Sequence, residues 1–239
     1  MPGYVRSLQV SDQFEIDRSR YPWTVPCLKD FECLSFDPRL TYLVGENGSG
    51  KSTLIEALAV KLGMPAEGGS KHHQVRTHDT HSTLEDALIV VRSDYPADTF
   101  FLRAESFYNV ATYLTTTARE GGGVPKAGWV HERSHGEGFI DLVASLNPEG
   151  LYLFDEPESA LSPQRQLEFI LRISELLKEK CQVIIATHSP IILSIPDATI
   201  YQLSENGIEE TTYEQTEPYW LTLDFLKNRE RYLKSMGIE

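Results

Sequence analysis

TYLVGENGSGKSTLIEALAVKLG, residues 41–63, joins three kinds of sequence that rarely meet by accident. Thr41–Val44 is a short apolar run, readable as a buried strand. Gly45-Glu46-Asn47-Gly48-Ser49-Gly50-Lys51-Ser52 fits G-x-x-x-x-G-K-[ST] at every fixed position, and Thr53 follows. Leu54, Ile55, Leu58, Ala59 and Leu62 then recur at helical spacing, and Gly63 can stop the helix. Glycines let a backbone wrap a phosphate chain with its N–H groups turned inward. The helix N-terminus behind them adds partial positive charge. In such a loop Lys51 reaches the outer phosphates and Ser52 ligates a magnesium ion.

Two later segments repeat the theme of a strand ending in chemistry. GLYLFDEPESALSPQRQ carries the apolar run Leu151–Phe154, and Asp155 and Glu156 follow at once. Two acids at the end of a buried strand are costly unless a cation sits there. Mg2+ held by Asp155 meets that need, and Glu156 can then orient or deprotonate an attacking water. The competing reading is an acidic turn with Asp155 capping the next helix. CQVIIATHSP has Val183–Ala186 as a strand with Thr187-His188-Ser189 at its end, His188 lying 32 positions after Glu156. In open parallel sheets ligands bind outside the carboxyl ends of the strands.

With these residues the chain resembles the ABC-type ATPases of the P-loop superfamily. GENGSGKST matches their Walker A loop, LYLFDEPE their Walker B strand and IIATHS their switch-histidine segment. Ser159–Ser162, SALS, is similar to the D-loop that crosses a dimer interface. Ser134-His135-Gly136-Glu137 stands just before a helical pattern, with Glu137 18 positions ahead of Asp155. The family carries its signature motif, usually LSGGQ, at that place. Ser134, Gly136 and Glu137 match it; His135 replaces a glycine and Arg133 a leucine. A plain helix cap is the alternative reading. Phe139, Leu142, Val143 and Leu146 give that helix its buried face, and Asn147-Pro148 ends it. Glu105, after Phe100–Leu102, aligns with the Q-loop glutamine and would contact the metal; the alternative is a surface glutamate beside Arg103. The motifs are closer to the soluble branch, chromosome-structure and recombination-repair ATPases and stand-alone AAA-family ATPases, than to transporter domains. Lys51 and Ser134 are only 83 positions apart, without sustained heptads between them, so no long coiled-coil arm is expected.

The resemblance implies an α/β fold of ABC-ATPase type. Its features are a mostly parallel central sheet with flanking helices, an N-terminal antiparallel β portion and a small helical lobe. It implies one domain over residues 1–239, with a smaller lobe at about 63–133. It also implies ATP and Mg2+ as ligands. Gly45–Thr53 would cradle the nucleotide, Ser52, Asp155 and Glu105 would hold the metal, and Lys51, Glu156 and His188 would act in hydrolysis. Ser134, Gly136 and Glu137 would close on the nucleotide of a second copy in an ATP-sandwich homodimer. Two other readings share these motifs: the energising subunit of a membrane transporter, and a non-hydrolysing nucleotide-dependent module.

The remaining sequence sets bounds. The 239 residues, 41% hydrophobic and 24% charged, suffice for a real core. The net charge of −13 argues against broad non-specific nucleic-acid binding, and 17 of the 35 acids lie in residues 141–239. No apolar run approaches the roughly 20 residues that span a bilayer. The 3 cysteines lack metal-ligand spacing and read as free thiols, which with the lack of a signal pattern suggests a cytoplasmic protein. Six of the 7 histidines fall within residues 61–140, in loop-like sequence without a carboxylate or cysteine frame, and read as exposed rather than metal-binding. Tyr21 or Trp23 is placed to stack on adenine, or else is a core aromatic. Residues 18–40 suggest short strands, Asn206-Gly207 a hairpin turn, and residues 222–239 one closing helix.

Overall fold

The structure is a computed structural model that describes residues 3–66, 68–70, 83–104 and 135–238. Its strands, in chain order, are β1 (Val5–Val10), β2 (Cys33–Ser35), β3 (Leu40–Val44), β4 (Gly69–Ser70), β5 (Leu88–Arg92), β6 (Asp98–Arg103), β7 (Gly150–Asp155), β8 (Gln182–Ala186), β9 (Thr199–Ser204) and β10 (Gly207–Thr211). The α-helices are α1 (Lys51–Lys61), α2 (His135–Ala144), α3 (Pro163–Leu176), α4 (Glu217–Lys227) and α5 (Arg229–Ser235).

Every residue of β3, β7 and β8 is buried, so these strands must be covered on both faces. That is the condition met by a parallel sheet between two layers. The main sheet has 7 strands in the order β10-β9-β3-β8-β7-β6-β4. Strands β9, β3, β8, β7 and β6 run parallel, and the two edges, β10 and β4, are antiparallel. The expected α/β architecture is therefore the observed one.

The two faces follow the period of two in each strand. Leu43, Leu153, Ile184 and Ala186 pack with Leu54, Ile55 and Leu58 of α1 and with Val5, Leu8 and Leu34. Tyr42, Val44, Tyr152, Phe154, Val183 and Ile185 pack with Phe139 and Val143 of α2 and Phe169 and Ile173 of α3. Phe169 stands edge-on to both Phe139 and Phe154, with centroids 6.0 and 5.2 Å away. On the α1 side a second, antiparallel sheet of order β2-β1-β5 supplies the N-terminal β portion. The buried Gln182 joins the two sheets. Its Oε1 accepts the Val5 N–H, and its Nε2 donates to the carbonyls of Val5 and Asp37, each at 2.8 Å.

Several local expectations need correction. Before β3 begins at Leu40, residues 18–39 hold only β2 and a 3-10 turn at Pro26–Leu28; most of the rest are turns and bends, in keeping with the prolines there. The β9–β10 turn is Glu205-Asn206, not Asn206-Gly207. Gly207, at φ 110°, pairs with Ser204 and so belongs to the returning strand. The closing helix is two helices. Asn228, at φ −126° and ψ 33°, interrupts it, and its Nδ2 donates to the Asp224 carbonyl and carboxylate at 3.2 and 2.7 Å. Helix α2 stops at Ala144, ahead of the Asn147-Pro148 pair. Between α1 and α2 the described residues form β4, β5, β6 and 3-10 turns. The expected helical lobe otherwise falls outside the described residues, as do Val110–Leu114 and five of the clustered histidines, His72, His73, His78, His81 and His131.

Candidate functional site

Strand register gathers the chemistry. Leu43 of β3 pairs with Ala186 of β8, and Ala186 pairs with Asp155 of β7. The three strands thus end in one row across the middle of the sheet. Gly45–Gly50, Glu156 and Thr187–His188 leave from that row together. This is the carboxyl edge of a parallel sheet, where ligand sites form.

The loop after β3 is shaped as a cradle. Gly50, at φ 105°, caps α1, and a Cβ there would come within 2.6 Å of Cys27 Sγ and 2.8 Å of Val25 Cγ1. A Cβ on Gly45 would meet the Leu203 carbonyl at 2.4 Å, whereas nothing lies within 4 Å of one on Gly48. Glu46 and Asn47 are exposed, and Ser52 and Thr53 stand in the first turn of α1, whose N–H groups have no helical partners. Ser49 Oγ is buried with no hydrogen-bond partner among the described residues. An orphaned hydroxyl beside free helix N–H groups fits an anion with several oxygens, as a triphosphate has. Lys51 is 3% exposed, and its Nζ donates to the carbonyls of Gly45 at 2.7 Å and Glu46 at 3.0 Å. Burial lowers its pKa, against the pull of Glu156 and Asp155.

Asp155 ends β7 in the sheet interior. Its Oδ1 accepts the Ser52 hydroxyl at 3.0 Å. One hydroxyl and one carboxylate so close are a minimal donor set for Mg2+, which keeps most of its other positions for water and phosphate. Burial pushes the Asp155 carboxyl up to about 6, although Arg103 and the Ser52 hydroxyl pull it down. Arg103 is the residue that the motifs missed. Its Nε lies 3.3 Å from Asp155 Oδ2, and its Nη1 donates to Glu56 Oε2 at 2.9 Å. Arg103 is adjacent to Asp155 because β6 pairs with β7 in that register. Only strand order could have revealed it. The Q-loop candidate Glu105 and the signature Ser134 lie outside the described residues.

Glu156 adopts φ 48° and ψ 52°, the left-handed region that costs a non-glycine residue roughly 1–3 kcal/mol. Its N–H is held by the Ala186 carbonyl at 2.9 Å. The strained backbone presents Oε1 at 4.0 Å from both Lys51 Nζ and His188 Nδ1. The reading of Asp155 as a helix cap does not hold, since Asp155 is within the strand and Ser162 caps α3. His188, at the tip of β8, is bonded through its N–H to Glu158 Oε1 at 2.7 Å.

Gly136 and Glu137 open α2, next to the segment that follows Glu156. A Cβ on Gly136 would stand 3.4 Å from the Ala160 carbonyl, and Glu137 Oε1 accepts from Arg165 Nη2 at 3.0 Å. Trp23 is packed in the core with the Arg18 guanidinium 5.4 Å from its ring, while Tyr21 is exposed. Cys27 and Cys181 are buried and Cys33 is exposed, all as free thiols. Among the described residues no helix is long and apolar enough to cross a membrane.

Two family models match parts of the chain. The AAA domain matches residues 25–111, and the model described as "AAA domain, putative AbiEii toxin, Type IV TA system" matches residues 138–194. No curated protein matches. Among solved structures, an SMC head domain from Thermotoga maritima is similar at 15% identity, covering 87% of this chain and 99% of that one, with a TM-score of 0.47. A bacterial Atm1-family ABC exporter with ATP bound is similar at 16% identity, covering 100% of this chain and 43% of that one, with a TM-score of 0.45. At these values neither likeness says anything of what this chain binds or moves.

Proposed function

We propose that this chain is a P-loop ATPase of the ABC type that binds and hydrolyses Mg·ATP and uses the cycle as a dimerisation switch. One observation carries the reading. Lys51, Asp155, Glu156 and His188 come from three strand tips that are neighbours in the sheet, and Glu156 Oε1 is equidistant, at 4.0 Å, from Lys51 and His188.

The backbone of Gly45–Thr53 would wrap the phosphates, and Lys51 would exchange its two carbonyl partners for phosphate oxygens. Ser52 and Asp155 would hold Mg2+, which when bound supplies charge neutralisation at the phosphates. Glu156 would orient the attacking water and take its proton, and His188 would sense the outer phosphate. Gly136 and Glu137, with Ser134, would complete the site of a second copy. Opening after hydrolysis would then be the output. A task in nucleic-acid maintenance, defence or the remodelling of protein complexes suits such a switch, by analogy of fold.

Glu156→Gln is the test. It removes the base and keeps the shape, so steady-state ATP turnover falls by about 10²–10⁴-fold. Nucleotide affinity is retained and the ATP-bound form accumulates as a dimer in light scattering. Turnover at the wild-type rate would remove Glu156 from its role. Capture with this variant, followed by analysis of bound protein and nucleic acid, would identify the target of the switch.

A further inference from the structure

Glu158 lies two residues beyond Glu156, in the 3-10 turn Pro157–Ala160, and its side chain is only 7% exposed. Carboxylates are seldom so buried without a purpose. Among the described residues, the hydrogen-bond and ion-pair partners of this one belong to a single residue. Oε1 accepts the backbone N–H of His188 at 2.7 Å and lies 3.2 Å from Nδ1 of the same histidine. Oε2 is buried and takes no hydrogen bond among the described residues. A buried oxygen left in that state costs free energy, so the position is held for something other than stability.

The carboxylate favours hydrogen on one of the two ring nitrogens. Oε1 already serves as an acceptor toward the backbone N–H. A carboxylate oxygen 3.2 Å from Nδ1 favours hydrogen on that nitrogen over a bare lone pair. Nε2 is then the nitrogen with no hydrogen-bond partner among the described residues, on a side chain 45% exposed. Glu156 is further from Nδ1, at 4.0 Å. It is Glu158, and not the proposed base, that sets the ring.

We propose that Glu158 is the positioning residue of His188: it fixes the Nδ1–H tautomer and leaves Nε2 as a bare acceptor beside the nucleotide, placed to take a hydrogen bond from the attacking water rather than to give one to a phosphate oxygen. This rests on the ATPase reading above for its purpose, though not for its geometry. A second bridge makes the link stiff. Ser189 Oγ donates to Gln166 Oε1 at 2.6 Å, and Gln166 Nε2 donates to the Leu161 carbonyl at 3.1 Å. Residues 158–162 and 187–189 are therefore tied twice. A displacement of the first segment on meeting a second copy passes directly to the histidine.

The tautomer can be read without any nucleotide. Nitrogen-15 histidine correlation spectra at alkaline pH, where imidazoles are neutral, distinguish Nδ1–H from Nε2–H, and His188→Asn identifies the signal. The wild type should show Nδ1–H at His188. Glu158→Gln, whose amide oxygen still accepts, should keep that tautomer and most of kcat. Glu158→Ala should show Nε2–H, lower kcat by about 10–100-fold and leave nucleotide affinity unchanged. If Glu158→Ala does not fold, the wild type and Glu158→Gln decide. An Nε2–H tautomer in the wild type, or wild-type kcat in Glu158→Ala, overturns the proposal. A failed ATPase reading would instead leave the tautomer intact and be seen in the Glu156→Gln assay.

Discussion

A buried ammonium persists only where carbonyls or anions surround it. Lys51 has the Gly45 and Glu46 carbonyls for this purpose. Lys51→Met removes the donor to both carbonyls, so it should lower the Tm measured without ATP and abolish the rise in Tm on adding ATP; a rise of wild-type size would take Lys51 out of the site. Asp155 makes a pH prediction. An acid whose folded pKa exceeds its unfolded value stabilises the fold below the unfolded value and loses that contribution as pH rises through the folded one. For Asp155 those values are 3.8 and about 6. In EDTA, raising the pH from about 4 to about 8 should cost the wild type up to about 3 kcal/mol relative to Asp155→Asn. Urea unfolding across that range checks it, and a constant difference would refute it. At this scale the motifs were readable because each is contiguous: Lys51, Ser52, Asp155, Glu156 and His188 could all be named from the chain. Arg103 and Glu158 could not be assigned their partners, because those partners are reached across strands β6, β7 and β8.

The elements owe their places to burial patterns that periodicity captures well. Strands β3, β7 and β8 are wholly apolar or nearly so, and their burial on both faces follows from that. Helix α3 begins where Ser162 caps it by accepting from the Arg165 N–H, with Pro163 in its first turn. Its buried Gln166 has no counterpart in any motif, yet it spans Leu161 and Ser189. Gln166→Leu takes the acceptor from the Ser189 hydroxyl and the side-chain donor from the Leu161 carbonyl, and should lower stability by about 1–3 kcal/mol in urea unfolding. An unchanged midpoint would mean that water or local adjustment replaces the bridge. Where sequence reading slipped, the cause was local competition. Asn228 uses its side chain on Asp224 and breaks a helix that the apolar spacing would have continued. Gly207 takes the positive φ as a strand residue and moves the turn back by one.

For the molecule as a whole, the proposed switch needs a second copy to receive Ser134, Gly136 and Glu137; in its own chain Glu137 accepts from Arg165 Nη2, and a Cβ on Gly136 would stand 3.4 Å from the Ala160 carbonyl. Glu156→Gln with Mg·ATP should double the mass seen in light scattering. Adding Gly136→Glu, which sets a carboxylate where the partner's phosphate would lie, should restore the monomer and keep ATP binding. A dimer that survives this change would refute the composite site. The sequence by itself determined the sheet-forming runs, the phosphate loop, the acid pair and the histidine, since each is a local pattern of residue type and spacing. Only the tertiary structure decided that β8 lies between β3 and β7, and hence that these tips share one edge. It likewise decided that Arg103 reaches Asp155 and that Glu158 holds His188. Contacts of that kind depend on strand order and register, which arise from packing the two faces of the sheet and are written in no single stretch of the chain.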